Sequence, residues 1–266
     1  MPLDATMRGI RLIGERTLRI VERVGATIAF LGLTLAQSAT SFRRFGLVIR
    51  EIFYAGVQSL IIILVSGLFV GMVLGLQGHE TLQNYGSEQS VGVLVALSLV
   101  RELGPVVSAL LFASRAGSAI TAEIGLMKAT EQLSAMEMMA VSPISRVVAP
   151  RFWGGVLSMP VLAMLFSAMG IIGGFLVSVV VIGVDDGAFW SQMQAAVDFR
   201  HDIVNGIIKS VVFGIAVSAI ATFEGYEAPP TAEGVSGATT RTVVSSSLAI
   251  LALDLVMTAF MLKGWN

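Results

Sequence analysis

Two ionisable side chains, Arg101 and Glu102, interrupt an apolar run that extends from about residue 91 to residue 113. Both charges lie near the midpoint of a run that is long enough to cross a bilayer, where an unpaired charge costs at least a few kcal/mol. Neighbouring residues of a helix point about 100° apart, so these two side chains are poorly placed to neutralise each other. Each of them therefore needs a partner, water or a polar ligand elsewhere.

Two later apolar runs carry charges that could serve as intramembrane partners, Lys209 and Asp254. Lys209 lies near the outer end of its run, where a long side chain can extend to the interface, whereas Asp254 is central. One interpretation is a structural ion-pair network, and the other is a polar patch in an apolar cavity that contacts a lipid headgroup. The candidate lipid contacts are Gln77, Tyr85, Arg101 and Glu102, with Glu102 tuning the patch.

Pro105 follows the two charges and predicts a local distortion of the helix. Proline lacks the N–H that would bond the carbonyl of Arg101, so we expect the helix to bend at this point.

A short polar helix is predicted at residues 131–140, between two apolar runs, and Ser142-Pro143 ends it. Ten residues rise only about 15 Å, so this helix cannot cross a membrane. Methionines at helical spacing suit a hydrophobic groove on a partner, although the helix could also cap its own bundle. The candidate docking residues are Glu131, Gln132, Leu133, Met136, Glu137 and Met139.

The composition indicates an integral membrane protein. The chain has 266 residues, of which 55% are hydrophobic and 13% charged, and its mean hydropathy is +0.83. Soluble domains carry about 25% charged residues. A net charge of −1 gives no indication of nucleic-acid binding, and the lack of cysteine together with only two histidines argues against a metal site. Because no GxxxxGK[ST] motif occurs, we expect a non-catalytic chain without a cofactor of its own.

The predicted fold is an all-α membrane protein that forms a single transmembrane domain over residues 1–266. Five transmembrane helices are expected near residues 56–77, 91–113, 152–182, 204–223 and 243–262. The domain is predicted to comprise an interfacial amphipathic helix (1–23), a first membrane half (24–113), a coupling region (114–151) and a second membrane half (152–266). Residues 24–40 are short for a crossing and are expected to be shallow or re-entrant, and a short helix is expected in 183–203.

The distribution of lysine and arginine predicts the orientation. The N-terminal region and residues 114–151 are rich in these residues, whereas residues 78–90 and 183–203 carry only Arg200. The positive-inside rule therefore places the N-terminus in the cytoplasm and, after five crossings, the C-terminus on the outside of the membrane, which the resemblance given below would make the periplasm.

Gly67, Gly71 and Gly75 recur at every fourth position of the first predicted span. This spacing allows two helices to approach closely. The motif fits packing within the chain, and the functional alternative is an interface between subunits or a wall that must move.

Several short motifs along the chain resemble one known family. They are Arg101-Glu102-Leu103-Gly104-Pro105, Arg115-Ala116-Gly117-Ser118-Ala119, Ala122-Glu123-Ile124-Gly125, Thr130-Glu131-Gln132, Ala149-Pro150-Arg151-Phe152, Gly225-Tyr226 and Ala238-Thr239-Thr240-Arg241. In this order they are similar to the MlaE-type permeases of bacterial phospholipid ABC transporters, over nearly the whole chain.

The resemblance implies a homodimeric permease in the inner membrane of a Gram-negative bacterium. It further implies an ATPase partner (MlaF) that binds ATP and Mg, a STAS-domain subunit (MlaB) and a periplasmic MCE ring (MlaD). The helix from Glu131 to Met139 would couple the ATPase to a lipid cavity, in a system that maintains outer-membrane lipid asymmetry. Without the resemblance, an ion-coupled secondary transporter that uses the midplane charges is the alternative.

Overall fold

The computed structural model describes residues 2–42 and 45–263, which form α-helices joined by short turns and π-helical turns. The helices are α1 (Pro2–Phe42), α2 (Phe45–Ala55), α3 (Leu60–Gln83), α4 (Val91–Ser98), α5 (Gly104–Phe112), α6 (Ser118–Ala129), α7 (Gln132–Met138), α8 (Ala149–Phe175), α9 (Asp186–Ala196), α10 (Val204–Glu227) and α11 (Ala232–Lys263).

Within the described residues, five helical stretches are long and apolar enough to cross a membrane. Their bounds are Phe45–Gln83, Glu88–Ala129, Ile144–Val181, Phe199–Glu227 and Ala232–Met261. This confirms the predicted all-α fold with five membrane-spanning helices. Each stretch exceeds the roughly 20 residues that a crossing needs, because helical structure continues beyond the apolar runs.

The N-terminal part of the chain differs from the prediction. No helix end separates the predicted interfacial helix (1–23) from residues 24–40, which were expected to be shallow or re-entrant, because α1 continues without a turn to Phe42. The hydroxyls of Thr27, Thr34 and Ser38 each bond the carbonyl four residues earlier, so these polar residues are satisfied inside the helix and do not interrupt it. α1 is not among the five candidate spans, as the prediction of a non-crossing segment requires.

The region 114–151 is more helical than expected. The second span continues as helix through Ala129, and only a short turn separates it from α7. α7 is also shorter than the predicted helix at 131–140, because Glu131 and Ala140 both have a φ of 58° and end the helical geometry on either side. The helix therefore continues beyond residue 113, where the predicted apolar span ends.

The core of the bundle lies where α5, α8 and α10 cross. Phe112, Met159, Phe166 and Phe213 are fully buried there, each with 0% exposure. α3 packs along α8, and α11 packs against α6 and α10.

The short helix expected within residues 183–203 is α9, which begins at its N-cap residue Asp185. A side-chain oxygen of Asp185 accepts a hydrogen bond of 2.7 Å from the backbone N–H of Ala188. Phe189 is buried against Phe175 and Trp190, so the helix is held against the end of the bundle.

Candidate functional site

The two central charges of the second span lie on a π-helical turn, Leu99–Leu103. The turn closes with a hydrogen bond from the backbone N–H of Gly104 to the carbonyl of Leu99, and Pro105 follows at the start of α5. The wide turn is how the helix accommodates a proline that cannot donate to the carbonyl of Arg101. On α8, the hydroxyl of Ser167 adds a hydrogen bond of 3.4 Å to the Leu99 carbonyl.

Arg101 pairs with Asp202, which lies on the π-helical turn Phe199–Ile203, directly before α10. The guanidinium Nε donates to Oδ1 of Asp202 at 2.6 Å, and Asp202 is fully buried while the Arg101 side chain is 44% exposed. Sequence reasoning missed Asp202, because residues 183–203 were assigned to a loop outside the membrane.

Asp202 is held by a reciprocal cap at the start of its helix. Its Oδ2 accepts a hydrogen bond of 2.8 Å from the backbone N–H of Asp198, whose own Oδ1 accepts from the N–H groups of Arg200 and His201. These two hydrogen bonds lower the pKa of Asp198 below its usual value. The spacing of two aspartates four residues apart before an apolar run was the available sequence signal.

Glu102 pairs with Lys209, and Lys209 in turn joins α11. Its Nζ donates to Glu102 at 2.7 Å, to Asp254 at 3.0 Å and to the hydroxyl of Thr258 at 2.7 Å. Three acceptors use all three protons of the ammonium group. Lys209 is 2% exposed, so its ammonium group is buried among these partners and does not extend to the interface, as the sequence had allowed.

These charges line a groove of about 160 Å³ between the second span, α10 and α11. Its lining residues are Arg101, Glu102, His201, Asp202, Asn205, Lys209, Thr258 and Met261. Glu102 is 42% exposed and Arg101 is 44% exposed, whereas the charges that pair with them are almost fully buried. The groove therefore presents one guanidinium and one carboxylate side by side, which suits a polar group that carries both a phosphate and an amine.

Gln77 and Tyr85, the other candidate lipid contacts, do not line this groove. Gln77 is exposed on α3, and Tyr85 is 79% exposed in the turn that follows. Within the described residues, the structure brings Arg101 and Glu102 together with Lys209 and leaves these two apart.

The glycines of α3 pack inside the chain. A Cβ at Gly67 would lie 2.7 Å from the carbonyl oxygen of Phe166 on α8, and one at Gly75 would lie 2.9 Å from that of Gly174. Gly71, between them, faces Gly170 more closely still. This glycine face is therefore occupied by α8 of the same chain and does not form an interface between subunits.

The candidate docking residues of α7 divide into an inward and an outward group. Leu133 is buried and Met136 is half-buried against the bundle, in a cluster that includes Ile124 and Val147. Met138 and Met139 are 84% and 68% exposed. The exposed candidates are thus Glu131, Gln132, Glu137 and Met139, and the structure adds Met138.

A second charged cluster, near α7, ties α1 to the bundle. Glu224 is 3% exposed on α10 and pairs with Arg23 of α1 at 2.6 Å and with Arg241 of α11 at 3.0 Å. Phe30 of α1 packs on Phe223, next to this cluster. Sequence reasoning did not identify Glu224, because it lies at the end of an apolar run where an exposed carboxylate would be unremarkable.

No cluster of histidine, aspartate and glutamate side chains in residues 2–42 and 45–263 has the arrangement of a metal site. Five candidate membrane spans, with a charged groove between the start of α10 and the end of α11, define a multi-pass membrane protein.

The chain belongs to the MlaE permease family, whose model matches residues 48–260. It is 57% identical, over 95% of its length and 97% of the relative's, to the intermembrane phospholipid transport system permease protein MlaE of Haemophilus influenzae. It is 32% identical, over 95% of its length and 97% of the relative's, to a probable ABC transporter permease protein of Rickettsia typhi. It is also 32% identical, over 81% of its length and 61% of the relative's, to the chloroplastic protein TRIGALACTOSYLDIACYLGLYCEROL 1 of Arabidopsis thaliana.

Proposed function

We propose that this chain is the permease subunit of an ABC transporter that moves phospholipid between the inner membrane and a periplasmic carrier, maintaining outer-membrane lipid asymmetry. The observation that carries the proposal is the charged groove between the second span, α10 and α11. The proposed substrate is supported by the relative in H. influenzae, which is named a phospholipid transport system permease and is similar over nearly the whole chain.

The role of the groove follows from its two exposed charges. In the proposed mechanism, the lipid phosphate binds near Arg101 and an amine of the headgroup binds near Glu102, while the acyl chains stay in apolar surroundings. Lys209, Asp202 and Asp254 hold the two binding side chains in place through the ion pairs described above. Gln77 and Tyr85 then contact the lipid at another stage of its path.

The energy for transport comes, in this proposal, from a separate ATPase subunit (MlaF) that binds ATP and Mg. The exposed methionines of α7, together with Glu131, Gln132 and Glu137, form the docking surface. A STAS-domain subunit (MlaB) and a periplasmic MCE ring (MlaD) complete the assembly. The single permease domain then transmits the motion of the ATPase through α6 to the groove.

We further propose that two copies of the chain pair along α11. Of the apolar window of α11, 11% is buried within the chain, compared with 44% for the second and fourth spans. Val244, Leu248 and Leu255 are among its exposed apolar side chains. The proposed orientation places α1 and α7 in the cytoplasm and the end of α11 in the periplasm.

The ion-coupled alternative receives no support from the site. An ion-coupled transporter needs groups that change protonation or bind an ion during transport. Here the ammonium group of Lys209 already pairs with the carboxylates of both Glu102 and Asp254. The relative in H. influenzae is named a phospholipid transport system permease, and the one in R. typhi a probable ABC transporter permease.

The proposal is tested by reconstituting the chain with its ATPase and ring subunits in liposomes that contain a fluorescent phospholipid. We expect transfer that requires ATP, and a decrease of at least about tenfold for Arg101→Ala or Glu102→Ala with the assembly intact. Transfer by the isolated chain in a proton or sodium gradient, without ATP, would contradict the proposal.

A further inference from the structure

A second cavity, of about 260 Å³, lies between the second span, α8 and α10. It is separate from the charged groove, because neighbouring residues of the same two segments point about 100° apart and line different spaces. Arg101 and Asp202 line the groove, whereas Val100 and Ile203 line the cavity.

No side chain that lines the cavity has a free proton to donate to a ligand. Its two polar lining side chains, Ser167 and Ser210, are already satisfied by backbone carbonyls: Ser167 donates to Ala163 at 3.1 Å, and Ser210 donates to Ile207 at 2.7 Å. A buried water needs two to four polar partners, so water is disfavoured here. The lining of the cavity therefore favours a hydrocarbon ligand.

The walls cannot easily close on the empty space. A Cβ at Gly206 would lie 2.5 Å from the carbonyl oxygen of Val100, so α10 and the π-helical turn are already in backbone contact at one edge of the cavity. Void space costs stability because its lining atoms lose dispersion contacts. An apolar cavity of about 150 Å³ is large enough to bind benzene, and this one is larger.

The cavity opens toward the surroundings of the bundle. Met164 and Ala168 of α8 line it and are both exposed, on the same stripe as Val161 and Ile172. The three spans that form its walls bury 33–44% of their most apolar window within the chain, whereas α11 buries only 11%. The proposed contact with a second copy therefore uses α11. The α8 side then meets the bilayer.

We propose that this cavity binds one acyl chain of a bilayer phospholipid, at a site separate from the charged groove. The bound chain fills the space behind the π-helical turn that carries Arg101 and Glu102, and supports its position from the apolar side. The site does not depend on transport, and it exists even if the groove has another role.

Photochemical labelling tests the proposal. The full chain is placed in liposomes with a phosphatidylcholine that carries a diazirine in the middle of one acyl chain, and adducts are mapped by mass spectrometry after illumination. We expect adducts at Met164, Ile171 and Ile207 at least about threefold above those at Ile61 of α3, whose side chain is 78% exposed.

Two variants on α8 separate the cavity from general lipid contact. Ala168→Trp fills the mouth of the cavity and should lower the adducts at Ile207 at least about threefold, with Ile61 unchanged. Val161→Trp, which is outside the lining, should leave both unchanged. A free fatty acid with the same diazirine is the parallel probe.

Three results would overturn the proposal. Adducts at Ile207 that equal those at Ile61 and survive Ala168→Trp would show only general contact with the bilayer. Cavity residues without any adduct would show that another subunit covers them. Labelling by the fatty acid alone would exclude a phospholipid chain.

Discussion

The ammonium nitrogen of Lys209 lies 2.7 Å from a carboxylate oxygen of Glu102, although the two residues are 107 positions apart in the chain. Lys209 is the buried centre of the cluster, because it also bonds Asp254 and Thr258. Without the ammonium group, two carboxylates would face each other inside the bundle. Lys209 is therefore the residue on which the cluster most depends.

Replacing Lys209 with methionine should lower the free energy of unfolding by roughly 3 kcal/mol or more, because breaking a buried ion pair leaves an uncompensated charge. Thermal unfolding in detergent measures the effect. Adding Glu102→Gln should restore part of the loss, since one of the stranded carboxylates is then neutral. Arg200→Met, at an exposed position, is the control, and additive effects of the two cluster substitutions would contradict the prediction.

The contact between α3 and α8 predicts that Gly71→Ala is poorly tolerated. A methyl group at Gly71 meets the backbone of Gly170, which cannot move as a side chain can, so overpacking should cost at least about 1–3 kcal/mol. The yield of folded protein and its thermal unfolding report this cost. Gly46→Ala, where a Cβ has open space, should instead be neutral or slightly stabilising. Equal effects at the two glycines would show that the close contact does not matter.

The exposed face of α7 can be tested apart from its buried face. Met138→Asp combined with Met139→Asp should reduce the ATPase that co-purifies with the chain by about tenfold and leave thermal unfolding nearly unchanged. Leu133→Ala, on the buried face, should lower the free energy of unfolding by about 2–5 kcal/mol. The assignment of the docking surface is wrong if the double substitution leaves ATPase binding intact.

We expect the ion pairs of Glu224 to hold α1 against the helical bundle. Glu224→Gln weakens two charge-assisted hydrogen-bonded pairs, each worth about 1.5–3 kcal/mol, so α1 should detach more readily. Limited proteolysis should then cleave within α1 faster than in the unmodified chain. Glu227→Gln, an exposed glutamate on the same helix, is the matched control. Unchanged cleavage would mean that the aromatic contacts of Phe30 hold α1 on their own.

The cap at Asp198 predicts a dependence on acidic pH. The backbone N–H groups of Arg200 and His201 lower its pKa in the folded protein, so its stabilising effect is complete above the ordinary value of 3.8 and is lost as the pH falls through the lowered value. Asp198→Ala should therefore lower the unfolding temperature at pH 7. The difference between the variant and the unmodified chain should shrink as the pH falls below 3.8. Asp186→Ala is the control, and a difference that is constant with pH would rule out the cap as its source.

Much of the fold could be predicted because membrane insertion depends on local composition. Apolar runs of about 20 residues define the spans one by one, without any knowledge of their neighbours. The errors came where a polar residue is satisfied within its own helix. Residues 24–40 were expected to form a separate shallow or re-entrant segment, whereas α1 continues through them because the hydroxyls of Thr27, Thr34 and Ser38 bond the helix backbone.

The site was predictable only in part. Arg101, Glu102, Lys209 and Asp254 stand out because a charge within an apolar run has few explanations. Asp202 and Glu224 did not stand out, because each lies near the end of a run, where burial depends on what packs over it.

The sequence by itself determined that this is a five-span membrane protein with charges at mid-span and a short helix outside it, since these follow from residue type and spacing. Only the tertiary structure decided the partners: Arg101 with Asp202, and Glu102 with Lys209. It also decided that Gly67, Gly71 and Gly75 face α8 of the same chain. Pairings between distant residues depend on how whole helices cross, and a helix packs by its complete surface rather than by any single motif.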